Sequence, residues 1–189
     1  MARYPHLVDV AWDVVEQLVK DWKANPHFWE REIDVQSELR SRLAMAYTLM
    51  GRGEVIGVKA NAGSAERVTY RFSRVACEPS LSVDGKNGQT SLVRPDVVVW
   101  GDPVDPMQHM GDDDNSWPIL WACEIKYLDP NPTGLDFEKL QSLIKSERIA
   151  YGCWLTLNFD RNAGQEAPVW VQRSEGASLW ICNARARDQ

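Results

Sequence analysis

Two short apolar runs carry charges where a buried strand should have none, and this constrains the chain more than any other feature. Val97-Val98-Val99-Trp100 is entered through Arg94-Pro95-Asp96, and Ile119-Leu120-Trp121-Ala122-Cys123 runs on into Glu124-Ile125-Lys126. Uninterrupted, partly β-branched runs of this length read as strands covered on both faces. Ionisable groups are rare in such strands unless they are paired, metal-bound or functional. The period of two along a strand puts Glu124 and Lys126 on one face and Ile125 on the other. With Asp96 alongside on a neighbouring strand, two carboxylates and an ammonium converge. That is a ligand set for a divalent cation with a lysine beside it.

The rest of the chain supplies a frame for these strands. Leu7 to Lys23 has Val10, Val14, Val15, Leu18 and Trp22 at helical spacing, and Asn25-Pro26 stops it. A second helix is expected from about Trp29 to Met50, with Val35, Leu39, Leu43, Ala46 and Met50 as its apolar stripe and Gly51-Arg52-Gly53 as its end. Strands are expected at Val55–Val58 and Arg67–Val75, followed by a turn at Asp84-Gly85-Lys86-Asn87-Gly88. After the two charged strands, and a polar loop over Gly101–Trp117 between them, come a loop at Asp129–Gly134 and a helix over Asp136–Glu147. A buried strand at Tyr151–Phe159 follows. Short strands at Val169–Val171 and Leu179–Ile181 close a β-rich tail.

At 100° per residue Glu32 projects into the middle of the second helix's apolar stripe, Glu38 lies about 100° away, and Glu30 points outward. An acid on a core-facing stripe needs a partner or a metal, so Glu32 is the candidate helix acid, with Glu38 as the alternative. The competing reading of Glu32 is a first-turn acid welcomed by the helix dipole. For Glu124 and Lys126 it is a solvent-facing ion pair, and for Asp96 a simple strand-start residue.

Pro95-Asp96 followed by Glu124-Ile125-Lys126 resembles the motif of the PD-(D/E)XK nuclease superfamily, and Glu32-Ile33-Asp34-Val35 resembles the glutamate-bearing helix of several of its families. The resemblance implies an α/β (α+β) restriction-endonuclease-like fold. Its αβββαβ core is a central mixed sheet flanked by helices, with an extra N-terminal helix and a β-rich C-terminal tail. On that reading residues 1–189 form one domain, with 1–28 a helical extension, 29–160 the core and 161–189 the C-terminal strands.

The resemblance further implies that Asp96, Glu124 and the Ile125 carbonyl hold Mg²⁺, with Mn²⁺ accepted. Lys126 would act on the attacking water, and Glu32 would hold a metal-bound water or a second ion. Lys139 and Gln141 stand where the superfamily's second helix commonly meets a substrate phosphate. Solvated helix positions are the alternative for both. The expected substrate is nucleic acid, DNA rather than RNA. The rival class is a nuclease-fold module without activity, serving as a protein-binding subunit.

Composition limits the choices. The net charge of −6 argues against tight, autonomous duplex binding, which normally rests on a basic surplus, and suits a homo-oligomer or a partner protein. Basic residues remain for a groove: Arg40, Arg42, Arg67, Arg71, Arg74, Lys139, Lys145, Arg185 and Arg187. Cys77, Cys123, Cys153 and Cys182 form no Cys-x-x-Cys pair, so reduced thiols are expected and zinc is not. His6, His27 and His109 lack metal-ligand spacing, and there is no Gly-rich Gly-Lys-Ser/Thr phosphate loop. With no long apolar stretch and no signal-peptide pattern, a cytoplasmic protein without membrane partners is expected.

Overall fold

A computed structural model describes residues 5–60, 67–84, 90–102, 118–128, 134–159, 169–172 and 178–186. Its elements are, in order, α1 (Pro5–Ala24), α2 (Glu32–Leu49), β1 (Glu54–Ala60), β2 (Arg67–Ser73), β3 (Val75–Cys77), β4 (Leu81–Asp84), β5 (Thr90–Val93), β6 (Val97–Trp100), β7 (Ile119–Tyr127), α3 (Gly134–Lys145), β8 (Ile149–Phe159), β9 (Val169–Gln172) and β10 (Ser178–Ala186). The fold is mixed α and β.

The central sheet has six strands in the order β3-β6-β7-β8-β10-β9. β3, β6 and β7 are successively antiparallel. β8 and β10 each run parallel to the strand before them in the sheet, and β9 returns antiparallel on the outer edge. β7, α3 and β8 form a crossover unit, because parallel neighbours cannot be joined by a tight turn. Strand alternation separates two cores. Val97, Val99, Trp121, Cys123, Ile125 and Tyr127 face α1 and α2. Val98, Trp100 and Ala122 face the other way, with Leu140 and Leu143 of α3. β1–β2 and β4–β5 are separate two-stranded ribbons.

α1 shares one core with α2 and the sheet through buried Leu7, Val15, Leu18 and Trp22, and the Tyr47 hydroxyl donates to the Leu7 carbonyl at 2.7 Å. Asp34 caps the start of α2 by accepting from the Arg31 backbone N–H at 3.0 Å. At the other end Gly51 takes φ +69, so that the Arg52 and Gly51 N–H groups close onto the Tyr47 and Thr48 carbonyls at 2.7 and 2.9 Å. A residue with a Cβ would be strained at that φ.

Several expectations need correcting. The buried stripe of α2 runs Val35, Leu39, Leu43, Tyr47, a step of four throughout, so Met50 swings out and is 45% exposed. The strand expected over Arg67–Val75 is two strands. It breaks at Arg74, where the chain leaves the β1–β2 ribbon and enters the main sheet. β4 and β5 form a hairpin where only its turn was expected. β10 is an interior strand of the sheet and not part of an appended tail.

Candidate functional site

The site lies where β7 outruns β6. Their ladder ends at the pair Val97↔Cys123, so Asp96 is the next residue opposite Glu124, and opposed antiparallel residues share a face. Beyond Cys123, β7 continues through Tyr127, and its edge N–H groups at Ile125 and Tyr127 meet carboxylates instead of a strand. Ile125 N donates to Asp96 Oδ2 at 2.6 Å, and Tyr127 N donates to Glu32 Oε2 at 3.3 Å. Two acids thus serve successive outward N–H groups, roughly 7 Å apart along the strand. In an extended strand the N–H and C=O of one residue point the same way, so the Ile125 carbonyl faces the same gap as Asp96.

Glu124 and Lys126 stand on the α3 face of β7. Glu124 is buried, with only 2% of its surface exposed, while Lys126 keeps its ammonium 3.8 Å from Glu32 Oε1. On β8, Trp154 and Thr156 are register partners of Glu124 and Lys126. Phe137 of α3 packs on Trp154 with ring centroids 5.0 Å apart. Glu124 therefore borders an aromatic wall, where the local dielectric is low and charge interactions are stronger than in water. On the opposite face of β7 burial pushes the Cys123 thiol far up, followed by its contact with Cys153 and the negative charges of Asp96 and Glu124.

Glu32, Asp96, Glu124, Lys126 and the Ile125 carbonyl are thus brought to one end of the sheet. Glu32 is not buried in the stripe of α2; it sits at the helix start with its side chain 41% exposed. Glu38 is elsewhere, paired with Arg42 at 2.7 Å, and Arg42 also pairs with Asp21 of α1. Lys139 and Gln141 are half-buried on α3. Of the residues expected to line a basic groove, Arg74 is fully buried and structural, and Arg42 and Arg71 are held in ion pairs. His109 and Arg187 lie outside the described residues.

Two residues were missed. Gln36, one turn on from Glu32, donates to the Asp96 carbonyl at 2.8 Å and to Glu78 Oε1 at 3.4 Å. Glu78 N donates to the same carbonyl at 3.2 Å, and Glu78 has φ +48, an uncommon value for a residue with a side chain. Gln36 is in step with Glu32 on the helix, but its burial depends on partners 42 and 60 residues away and left no local signal. Nothing in the sequence marked Glu78.

Among the described residues no three His, Cys, Asp or Glu side chains are grouped so as to hold one ion. Asp96, Glu124 and the Ile125 carbonyl are two carboxylates and a peptide oxygen. Hard oxygen donors in that number suit Mg²⁺, which is usually bound by one or two carboxylates while keeping several waters. The donor chemistry fits. All four cysteines are free, and among the described residues no helix is long and apolar enough to cross a membrane. No protein-family model, curated protein or solved structure matches this chain.

Proposed function

We propose that this protein is a metal-dependent nuclease of the PD-(D/E)XK kind, hydrolysing phosphodiester bonds of nucleic acid, DNA in preference to RNA. The order α2, β3, β6, β7, α3, β8 supports a restriction-endonuclease-like core: a helix, three antiparallel strands, a crossover helix and a parallel strand. One observation carries the reading. Where β6 stops, Asp96 and Glu32 occupy the free edge of β7, and Glu124 and Lys126 rise from the strand segment they flank.

When bound, Mg²⁺ would supply Lewis-acid stabilisation of the charge that develops on the phosphate and lower the pKa of a bound water. Asp96, Glu124 and the Ile125 carbonyl would hold it. The hydrogen bond from Ile125 N fixes the Asp96 carboxylate before any ligand arrives, so little reorganisation is needed. Lys126 hydrogen-bonds and orients the attacking water, while Glu32, 3.8 Å from its ammonium, restrains that long side chain. Proton transfer by a positioned side chain of this kind contributes about 10²- to 10⁴-fold to rate.

The protein would work in the cytoplasm. Its acidic balance fits assembly with a second copy or a protein partner that supplies basic surface. The test is a cleavage assay on duplex, single-stranded and branched DNA and on RNA, with Mg²⁺, with Mn²⁺ and with EDTA. Metal-dependent cleavage that EDTA abolishes is expected. Binding of these substrates without cleavage under any metal condition would instead identify an inactive nuclease-fold module.

A further inference from the structure

We propose that Gln36 is a positioning residue for the metal-binding carboxylate of Asp96, an inference that rests on the nuclease reading. Gln36 is 4% exposed and stands among Val35, Leu39 and Leu43 on the packed side of α2. A buried amide is disfavoured there unless its hydrogen bonds are made. Both atoms it meets, the Asp96 carbonyl at 2.8 Å and Glu78 Oε1 at 3.4 Å, are acceptors, which identifies the contacting atom as the donating nitrogen.

The Asp96 peptide lies just past the last β6–β7 ladder pair. Gln36 Nε2 and Glu78 N hold its carbonyl from two sides, and its own carboxylate reaches across to Ile125 N at 2.6 Å. Gln36 thereby ties the tips of β3 and β6 to α2, the helix that carries Glu32. The direction of the Asp96 side chain follows from where its backbone is pinned. Without Gln36 the Asp96 carbonyl would lose its tie to α2 and keep the Glu78 N–H contact at 3.2 Å.

Groups that orient a ligand in this way typically cost 10- to 100-fold in metal affinity or activity when removed. The experiment compares wild type with Gln36→Leu, which removes the donor, and Gln36→Glu, which keeps the shape but turns an acceptor toward two acceptors. Mn²⁺ affinity is measured by calorimetry, metal-free stability by thermal melting, and cleavage with Mg²⁺. Both variants should bind Mn²⁺ about tenfold or more weakly and lose kcat in proportion. The Leu variant should melt within a few degrees of wild type.

Wild-type Mn²⁺ affinity in both variants would overturn the role of Gln36 and leave the nuclease reading intact. A collapse of the melting transition in both would also overturn it, making Gln36 a structural residue. A wild-type protein that neither binds Mn²⁺ nor cleaves would overturn the nuclease reading itself, and this inference with it.

Discussion

Each end of β6 has a buried charge beside it, and the two ends treat that charge in opposite ways. At the Trp100 end Arg74 is 1% exposed and spends its guanidinium on four oxygens: the carbonyls of Arg52 at 2.6 Å, Trp100 at 2.8 Å and Glu54 at 3.4 Å, and Asp102 Oδ1 at 2.5 Å. One cation meets one carboxylate and three peptide dipoles, and Arg52 adds a second contact to Asp102 at 3.7 Å. That end is closed. It fastens the exit of α2, the root of the β1–β2 ribbon and the end of β6 together.

At the Asp96 end, Lys126 lies 3.8 Å from Glu32, Asp96 is the next residue opposite Glu124, and Gln36 links Asp96 to Glu78, with Arg40 near enough to act on the Cys77 thiol together with Glu78 and Asp96. Acids outnumber bases there. A surplus of negative charge at a partly buried site favours binding of a cation and disfavours the empty state. The first end is closed by its own ion pair; the second, on the proposed function, takes in a cation.

The sharpest way to test that difference is to alter one charge at each end. Asp96→Asn keeps an oxygen for Ile125 N while removing the negative charge. It should abolish Mn²⁺ binding and cleavage and leave the metal-free melting temperature unchanged or higher, because repulsion with Glu124 is relieved. Arg74→Met should do the reverse. It leaves Asp102 and several buried carbonyls without their donor, at a cost of about 3–5 kcal/mol read from urea unfolding, while the molecules still folded retain wild-type kcat. Stability loss of similar size in both variants would erase the distinction between a closed and an open end.

Lys126→Ala probes roles within the open end. Cleavage should fall by about 10²- to 10⁴-fold, while Mn²⁺ affinity, measured calorimetrically, stays close to wild type. If metal affinity falls as far as it does in Asp96→Asn, Lys126 is a charge-balancing partner and another group acts on the water.

Which of these residues were legible beforehand follows from how local their signals are. Asp96, Glu124 and Lys126 announce themselves because charges are conspicuous in apolar strands. The closed end does not. The alternation of Val68, Tyr70 and Phe72 changes phase at Ser73-Arg74, which marks the point where the chain changes sheets, but an arginine there gives no local sign of being buried. The exchange of Met50 for Tyr47 on the stripe of α2 is a matter of phase: a step of four drifts against the 3.6-residue turn, and only the docked α1 decides which side is covered. Gln36 was hidden for a related reason. A polar side chain at helical spacing is ordinarily solvated, and its burial depends on β3 and β6 arriving from 42 and 60 residues away.

The smallest expected effect lies away from both ends, in the contact between α1 and α2. Arg42 hydrogen-bonds Asp21 and holds its carboxyl below the usual carboxylate range, with Gln17 contributing at 2.8 Å. A carboxylate whose folded pKa is depressed adds stability that is present above its unfolded value, near pH 4, and is lost as the pH falls through the folded one. Asp21 is 43% exposed, so solvent screening limits the gain to a few tenths of a kcal/mol. Asp21→Asn should therefore be slightly less stable than wild type at pH 6 in urea unfolding, and the gap should close as the pH falls through the lowered folded-state pKa of wild-type Asp21. A gap that persists undiminished in acid would mean that Asp21 acts through shape and neutral hydrogen bonding, and that this exposed pair contributes no charge-dependent stability.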